Sequence, residues 1–182
     1  LRSFTREDDL VADTATLIDA VNSLAINERC FVTILERVGA ILTLSDLEKP
    51  PMRMFLFGMI TLGEMLMTNL IRHKYQDGSW ESRLSASRIE KARALHAERT
   101  RRGQNVDLID CLQYGDKGWI LSYDEEVRNA LGQSSRREAR TAVKELEQLR
   151  NNLAHTQEII PTGWDRIVTV CSRVEQNLVA LM

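Results

Sequence analysis

The segment SSRREARTAVKELEQLRNNLAH, residues 134–155, decides the fold class, because its apolar residues recur at helical spacing. At about 100° per residue they form a single stripe made of Ala139, Ala142, Val143, Leu146, Leu149 and Leu153. Ser135, followed three positions later by Glu138, predicts a capping box at the start of this helix. The segment is therefore predicted to be an amphipathic helix that ends near His155 and packs its stripe against other helices.

The polar residues at the end of this helix are candidates for a functional site. Asn151 and His155 are four positions apart and share a face, which lies about 150–170° from the apolar stripe by helical-wheel counting. Arg150 flanks the stripe. Packing does not require an Asn and a His on this face, so we expect them to face solvent, a groove or a partner subunit. The alternative for His155 is a structural interaction with the dipole and free carbonyl groups at the helix end.

From residue 51 onward the chain is predicted to be helical throughout and to form a bundle of four to five helices, the domain 51–182. Gly103 is expected to close the second helix, and Gly115-Asp116-Lys117-Gly118 to separate two short helices. The predicted segments are helices at 52–74, 79–102, 106–114, 122–131, 134–155 and 164–181 and a loop at 159–163.

The first fifty residues have a different pattern, in which short runs of β-branched and aliphatic residues alternate with polar segments. They predict strands at 10–12, 30–35 and 40–44, a helix at 16–25 and a turn at Arg37-Val38-Gly39. The order is β-α-β-β. We therefore expect a small α/β unit, residues 1–50, before the helical bundle, and a fold that is mainly α.

The composition argues against several classes of protein. Hydrophobic residues make up 43% of the 182, enough for a core, and the net charge of −2 gives no overall sign of a nucleic-acid-binding protein. Cys30, Cys111 and Cys171 are far apart and form no CxxC pair, and the three histidines are dispersed. Neither a disulfide framework nor a metal site is expected. Scattered free cysteines fit the reducing cytoplasm, where we place the protein.

The segment 52–71 is apolar and long enough to be compared with a membrane span. It contains two glycines, and it also contains the polar residues Arg53, Glu64 and Asn69, of which the charged ones argue against a spanning helix. We predict a buried helix or a subunit interface, and no membrane partner. The sequence begins with Leu1 and shows no signal peptide, so we expect it to be part of a longer chain.

The string Arg150-Asn151-x-x-x-His155, at the end of the penultimate helix of an all-helical domain, resembles the signature of the HEPN family: an Arg, a polar residue, a short spacer and a His. The resemblance extends over about residues 52–182. It includes a long apolar first helix with an embedded acid, Glu64, and an aromatic-Gly-Asp stretch, Tyr114-Gly115-Asp116.

The resemblance implies metal-independent RNA cleavage, an activity that many members of the family have and others have lost. The 2′-hydroxyl of the RNA attacks the adjacent phosphate and leaves a 2′,3′-cyclic phosphate. In this chemistry His155 would shuttle the proton near neutral pH, and Arg150 would clamp the phosphoryl oxygens. Asn151 would orient His155 or a phosphate oxygen. Glu64 would face the site, the alternative being a structural ion pair or a carboxylate that reaches solvent.

The spacing of Arg150 and His155 favours a site built by two copies of the chain. Five positions on a straight helix separate two side chains by about 140°, so a single copy would hardly bring both to one phosphate. Members of the HEPN family pair across a twofold axis, and the apolar helix 52–71 offers a surface for such a homodimer.

Basic residues are concentrated at 99–102 and at 136–144. They are Arg99, Arg101, Arg102, Arg136, Arg137, Arg140 and Lys144. A solvated helix face is the simpler interpretation, and a dimer groove that follows RNA phosphates is the alternative.

Residues 40–47, AILTLSDL, resemble the end of a CBS motif: a small residue, two aliphatics, a Thr, two variable residues and an Asp. The resemblance covers roughly residues 8–50 and implies that Thr43 and Asp46 hold the ribose of an adenine nucleotide. The alternative is that Asp46 only caps the helix that follows. CBS motifs work in pairs, and this sequence holds one copy, so a dimer partner or a missing N-terminal segment would supply the second.

Three functions are consistent with these patterns. The first is a cytoplasmic, ligand-regulated endoribonuclease of HEPN type, in which an adenine nucleotide gates cleavage, as in stress or phage-defence systems. The second is a non-catalytic dimeric module that binds a nucleotide or a partner protein. The third is a purely structural dimerisation domain.

Overall fold

The computed structural model describes residues 9–155 and residue 159. Within them the chain is mainly helical and has a small three-stranded sheet in its first part, which confirms the predicted fold class at this level. The strands and helices are, in chain order, β1 (Leu10–Ala12), α1 (Leu17–Asn27), β2 (Arg29–Ile34), β3 (Arg37–Thr43), α2 (Pro50–Lys74), α3 (Ala86–Arg101), α4 (Tyr114–Leu121), α5 (Glu125–Ala130) and α6 (Arg136–Ala154). Short 3₁₀ helices occupy Leu44–Glu48, Ser79–Arg83 and Leu108–Cys111.

The chain divides into two compact units. Among the described residues, the first comprises residues 9–60, 149–155 and 159, and the second comprises Thr61–Gln148. Helices α2 and α6 therefore each contribute residues to both units. The domain boundary expected after residue 50 stays a prediction.

In the first unit, the sheet has the predicted β-α-β-β order. Strand β1 pairs in parallel with β2, and β2 pairs antiparallel with β3. Helix α1 makes the connection that parallel strands need. Its start is fixed by a capping box, in which the Thr16 hydroxyl accepts a hydrogen bond from the Asp19 N–H (3.2 Å) and the Asp19 carboxylate accepts one from the Thr16 N–H (2.9 Å).

The turn of the β2–β3 hairpin differs from the prediction. Leu35 and Glu36 form it, with φ angles of 50° and 63°, the left-handed backbone that a two-residue hairpin turn requires. The turn predicted at residues 37–39 is therefore wrong, because β3 already begins at Arg37. Gly39 lies inside β3, next to a register shift typical of a β-bulge. A Cβ there would lie 2.8 Å from Cδ1 of Ile34.

The second unit has its own hydrophobic core. The core residues are Ile71, Trp80, Ile89, Ala92, Ile109, Cys111, Leu112, Ile120, Leu121 and Val127. Trp80 is buried in this core, and Gly103, at φ 77°, follows the end of α3 as expected. No strand occurs between residue 51 and residue 155, as predicted.

Three predicted helix bounds in this unit are wrong. The helix expected at 79–102 is a 3₁₀ turn followed by α3, and the helix at 106–114 is a single 3₁₀ turn. The segment 115–118 lies inside α4 rather than between helices. Its glycines allow close packing instead of breaking the helix, since a Cβ on Gly118 would collide with the Val143 side chain.

Helix α6 confirms the prediction on which the fold class rests. The Ser135 hydroxyl accepts from the Glu138 N–H at 3.2 Å, as expected for the capping box. The Glu138 carboxylate instead accepts from the N–H and hydroxyl of Ser134, at 2.8 and 2.7 Å. Of the predicted stripe, Ala139, Leu149 and Leu153 are buried. The loop at 160–163 and the helix predicted at 164–181 lie outside the described residues.

Helix α2 is less buried than the sequence predicted. Only 28% of its most apolar window is buried, and Met54 and Met65 are exposed. By length and composition it is the one helix in the described part of the chain that could cross a membrane, although core helices of soluble proteins meet the same criteria. A partner surface on α2 stays a prediction.

Candidate functional site

The residues singled out by the sequence lie at the C-terminal end of α6, in the first unit. Arg150 and Asn151 are in its last turns, and His155 follows its last residue, with its N–H donating to the Asn151 carbonyl at 3.0 Å. All three residues are exposed. Leu149 and Leu153, each 8% exposed, hold the opposite face of the helix in the core. The polar face is therefore accessible, as its position opposite the stripe predicts.

Arg150 and Asn151 contact each other directly. Nη1 of Arg150 lies 3.4 Å from the Asn151 carboxamide oxygen and donates to it. A guanidinium presents five N–H donors, and most of them stay available in this arrangement for anionic oxygens. The Asn151 amide therefore limits the directions that the Arg150 side chain can take. The role predicted for Asn151 from the sequence was to orient His155 or a phosphate oxygen.

Arg53 of α2 fixes the end of α6. Its Nη2 donates to the carbonyl oxygens of Asn152 (2.9 Å) and Leu153 (3.3 Å). The last carbonyls of a helix have no partner within the helix, so a guanidinium that binds two of them acts as a cap. The side chain is only 14% exposed, and it is fixed by an ion pair with Glu48 at 2.9 Å. The residues that lead into His155 are therefore held in a defined position.

Glu48 links this cap to the chain that follows α6. One carboxylate oxygen pairs with Arg53, and the other accepts a hydrogen bond from the Ile159 N–H at 2.7 Å. Sequence reasoning missed both Arg53 and Glu48 as parts of the site. The sequence feature that could have identified Arg53 is its position in the apolar part of the predicted helix, because a charged residue there usually has a polar partner.

Glu64 lies in the second unit, where it forms an ion pair. Its carboxylate accepts from Nζ of Lys117 at 2.9 Å, and the lysine side chain is 6% exposed. The ion-pair alternative considered for Glu64 is thus observed. The Asp116 carboxylate is also buried, and it pairs with Arg88. The Gly115-Asp116-Lys117 stretch of α4 therefore makes two ion pairs, one through Asp116 and one through Lys117.

Thr43 and Asp46 form a capping box around the first 3₁₀ helix. The Asp46 Oδ2 atom accepts from the N–H (2.7 Å) and the hydroxyl (2.9 Å) of Thr43, while Oδ1 pairs with Lys49 at 2.5 Å. The bond from Lys49 and those from Thr43 lower the pKa of Asp46 against the opposing effect of burial. The capping alternative for Asp46 is observed, and nucleotide binding by these residues stays a prediction.

The cysteines in the described part of the chain are core residues. Cys30 and Cys111 are buried free thiols, and burial raises the pKa of each thiol, which disfavours reactivity. Among residues 9–155, no group of three His, Cys, Asp or Glu side chains is placed to hold a metal ion.

Comparison with known proteins identifies the helical part of the chain. A family model described as Swt1-like HEPN matches residues 61–178, about two thirds of the chain. The match includes Glu64, Arg150, Asn151 and His155, and it excludes the residues that resemble a CBS motif. No curated protein and no solved structure matches the chain. Since the family model covers more than half of its length, the chain belongs to the Swt1-like HEPN family.

Proposed function

We propose that this chain is a metal-independent endoribonuclease of HEPN type, with Arg150 and His155 as its catalytic residues. The observation that supports this most is the end of α6. Arg150, Asn151 and His155 are exposed there, on a helix end that the largely buried side chain of Arg53 fixes. HEPN domains are generally associated with RNA cleavage or nucleotide binding, and this polar face has the groups that RNA cleavage needs.

The chemistry assigns each residue a step. His155 takes the proton from the 2′-hydroxyl, or returns one to the leaving 5′-oxygen, because imidazole exchanges protons near neutral pH. Arg150 donates hydrogen bonds to the phosphoryl oxygens and stabilises the charge that grows on them in the transition state. Asn151, in contact with Arg150, limits the directions that the guanidinium can take.

A homodimer completes the site in this proposal. Because of their spacing on α6, Arg150 of one copy and His155 of the other meet more readily than two residues of a single copy. Met54 of α2 is 76% exposed and Phe57 is 39% exposed, so the first unit presents apolar side chains that a second copy would cover.

Regulation by an adenine nucleotide at Thr43 and Asp46 is a separate part of the proposal, and it rests on the CBS resemblance. Calorimetry with AMP and ATP tests it: binding that is lost in Asp46→Ala supports it, and the absence of heat with either ligand removes it. A cytoplasmic location and a role in stress or phage defence also stay proposals.

The products of cleavage test the proposed function. Incubated in EDTA with single-stranded RNA, the full chain should give 5′ fragments that end in 2′,3′-cyclic phosphate, as measured by mass spectrometry. The same RNA with every ribose 2′-O-methylated should stay intact, because its nucleophile is blocked. Fragments with a free 3′-hydroxyl would contradict the mechanism. RNA binding without any cleavage would favour the non-catalytic module.

A further inference from the structure

Three arginine side chains surround one aromatic ring in the second unit. The guanidinium carbons of Arg136, Arg83 and Arg140 lie 3.6, 5.0 and 5.5 Å from the centre of the Tyr123 ring. Arg140 also lies over the ring of Trp119, at 3.5 Å. These contacts come from three separate parts of the chain, so the fold itself concentrates the positive charge here.

None of these arginines has an ion-pair partner among the described residues, and the same is true of Arg137 and Lys144 on α6. Six other cations of the same unit do have a carboxylate partner. Carboxylates pair with Arg72, Lys74, Arg88, Arg93, Arg102 and Lys117. The five cations are therefore a local concentration of positive charge without an observed carboxylate partner among the described residues, in a chain with a net charge of −2.

An open groove of about 510 Å³ runs along four of these cations. It is lined by Arg136, Arg137, Arg140, Thr141 and Lys144. Guanidinium groups held on aromatic faces are already ordered, and their outer edges and free faces remain available. Such groups bind phosphate oxygens through paired N–H donors and can stack on nucleobases. Clustered like charges also favour an anionic occupant, since an anion relieves their mutual repulsion.

We infer that this groove, the α6 groove, binds the phosphate backbone of single-stranded RNA. Residues 136, 140 and 144 are successive turns apart, about 6 Å per step, which lets neighbouring side chains reach successive phosphates of one strand. A membrane-binding face would combine cations with exposed apolar side chains. Here the two aromatic rings are half-buried and lie beneath guanidinium groups. The choice of RNA as the polyanion rests on the proposed function, whereas binding itself needs neither Arg150 nor His155.

The test is equilibrium binding of a fluorescently labelled, fully 2′-O-methylated RNA strand to the full chain, followed by anisotropy at several salt concentrations. This RNA cannot be cleaved through its 2′-oxygen, so binding is measured whether or not the chain is a nuclease. The variant Arg137→Gln/Lys144→Gln removes two exposed charges that make no aromatic contact. It should weaken binding about tenfold and reduce the slope of log K against log salt by about 1.4, or about 0.7 for each lost phosphate contact.

A matched control removes the same charge from another helix. Lys91→Gln/Arg101→Gln on α3 changes two exposed cations and should leave the affinity within about twofold.

A second variant, Arg136→Lys/Arg140→Lys, keeps the charge and removes the planar guanidinium groups. It should keep the salt slope and lose several-fold in affinity, because lysine does not stack on rings or bases.

Two results would overturn the inference. One is an equal loss of affinity in the α3 control and the α6 groove variant, which would mean only a general effect of charge. The other is no RNA binding together with groove-dependent binding to phosphatidylserine vesicles, which would make the groove a membrane surface. Groove-dependent RNA binding without any cleavage would uphold the inference while the proposed nuclease function fails.

Discussion

At the scale of single residues, Arg53 caps the helix that carries the proposed site. It contacts neither Arg150 nor His155 in any bond described above, and it acts through the carbonyls of the last turn of α6. Because it also pairs with Glu48, its loss would remove a donor from one oxygen of that carboxylate and from two helix-end carbonyls.

We therefore expect Arg53→Ala to lower the free energy of unfolding by about 1–3 kcal/mol and to reduce kcat for RNA cleavage more than it raises KM. Arg53→Lys should recover only part of both losses, because an ammonium group does not reproduce the forked contact. Urea denaturation and steady-state kinetics are the measurements. A variant with unchanged kcat would show that the end of α6 does not need this cap.

Helical periodicity alone predicted that Asn151 and His155 are turned away from the apolar stripe and that Arg150 flanks it, and all three side chains are exposed. The sequence could not predict the role of Arg53, whose acceptors lie about a hundred positions away. Glu64 and Asp46 illustrate the same limit. Local sequence left two alternatives open for each, and the observed contacts are the structural ones.

At the scale of secondary-structure elements, glycine was the residue that the sequence most often misjudged. Gly39 and Gly118 were taken for turn residues, and both lie inside regular elements. Gly118 permits the close approach of Val143, which is distant in sequence, and Gly39 permits that of Ile34, which lies across the hairpin. Composition cannot distinguish a glycine that breaks a helix from one that makes room for a neighbour.

A matched pair of substitutions separates these two effects. In α4, Gly118→Ala should destabilise the protein by about 1–3 kcal/mol, because its Cβ would collide with Val143. In α2, Gly58→Ala meets no atom within 4 Å and should stabilise it by about 0.5–1 kcal/mol through helix propensity. Denaturation midpoints at a constant m value are the measurement. Equal shifts in the same direction would contradict the packing argument.

Helix α5 is capped by the carboxylate of Asp124, whose pKa is lowered in the folded protein. Burial raises the pKa of Asp124, but the hydrogen bonds from the Val127 N–H (3.0 Å) and Lys74 (2.9 Å) outweigh it, so the net pKa lies below the ordinary value. A lowered folded-state pKa stabilises the protein above the unfolded-state pKa of about 3.9, and this contribution is lost as pH falls through the folded-state pKa.

We expect Asp124→Asn to be about 1 kcal/mol less stable than wild type at neutral pH, because Asn still caps the helix but does not pair with Lys74. The difference should shrink as the pH falls below about 4. Thermal unfolding across this range is the measurement, with Asp77→Asn as the control for an exposed aspartate whose bonds are purely local. A difference that is independent of pH would contradict the assignment.

At the scale of the whole molecule, the proposed site depends on a second copy of the chain. Sequence periodicity predicted that Arg150 and His155 diverge on one helix, and the observed α6 continues through Arg150 to Ala154, with His155 directly after it. The residues of the partner surface could not be predicted from the sequence, because a hydropathy pattern does not specify which apolar side chains of α2 are packed. Met54, for example, is apolar but exposed.

Mixing two inactive variants tests the composite site. Arg150→Ala and His155→Ala, each inactive alone, should regain cleavage activity when mixed and allowed to exchange subunits, since one site of the mixed dimer then has both intact residues. Sedimentation should show twice the mass of one chain. Met54→Glu should weaken the dimer and lower the recovered activity together, because a charge in an apolar interface is costly. A fully active monomer would contradict the composite site.

The rate at which the purified full chain cleaves single-stranded RNA in EDTA, compared with that of His155→Ala, tests the central claim most directly. We expect cleavage by the wild type and a loss of about 10²–10⁴-fold in the variant, with equal melting temperatures because His155 is exposed. Equal rates for both proteins, or no cleavage of any RNA by the wild type, would contradict the claim that this HEPN chain is a ribonuclease acting through His155.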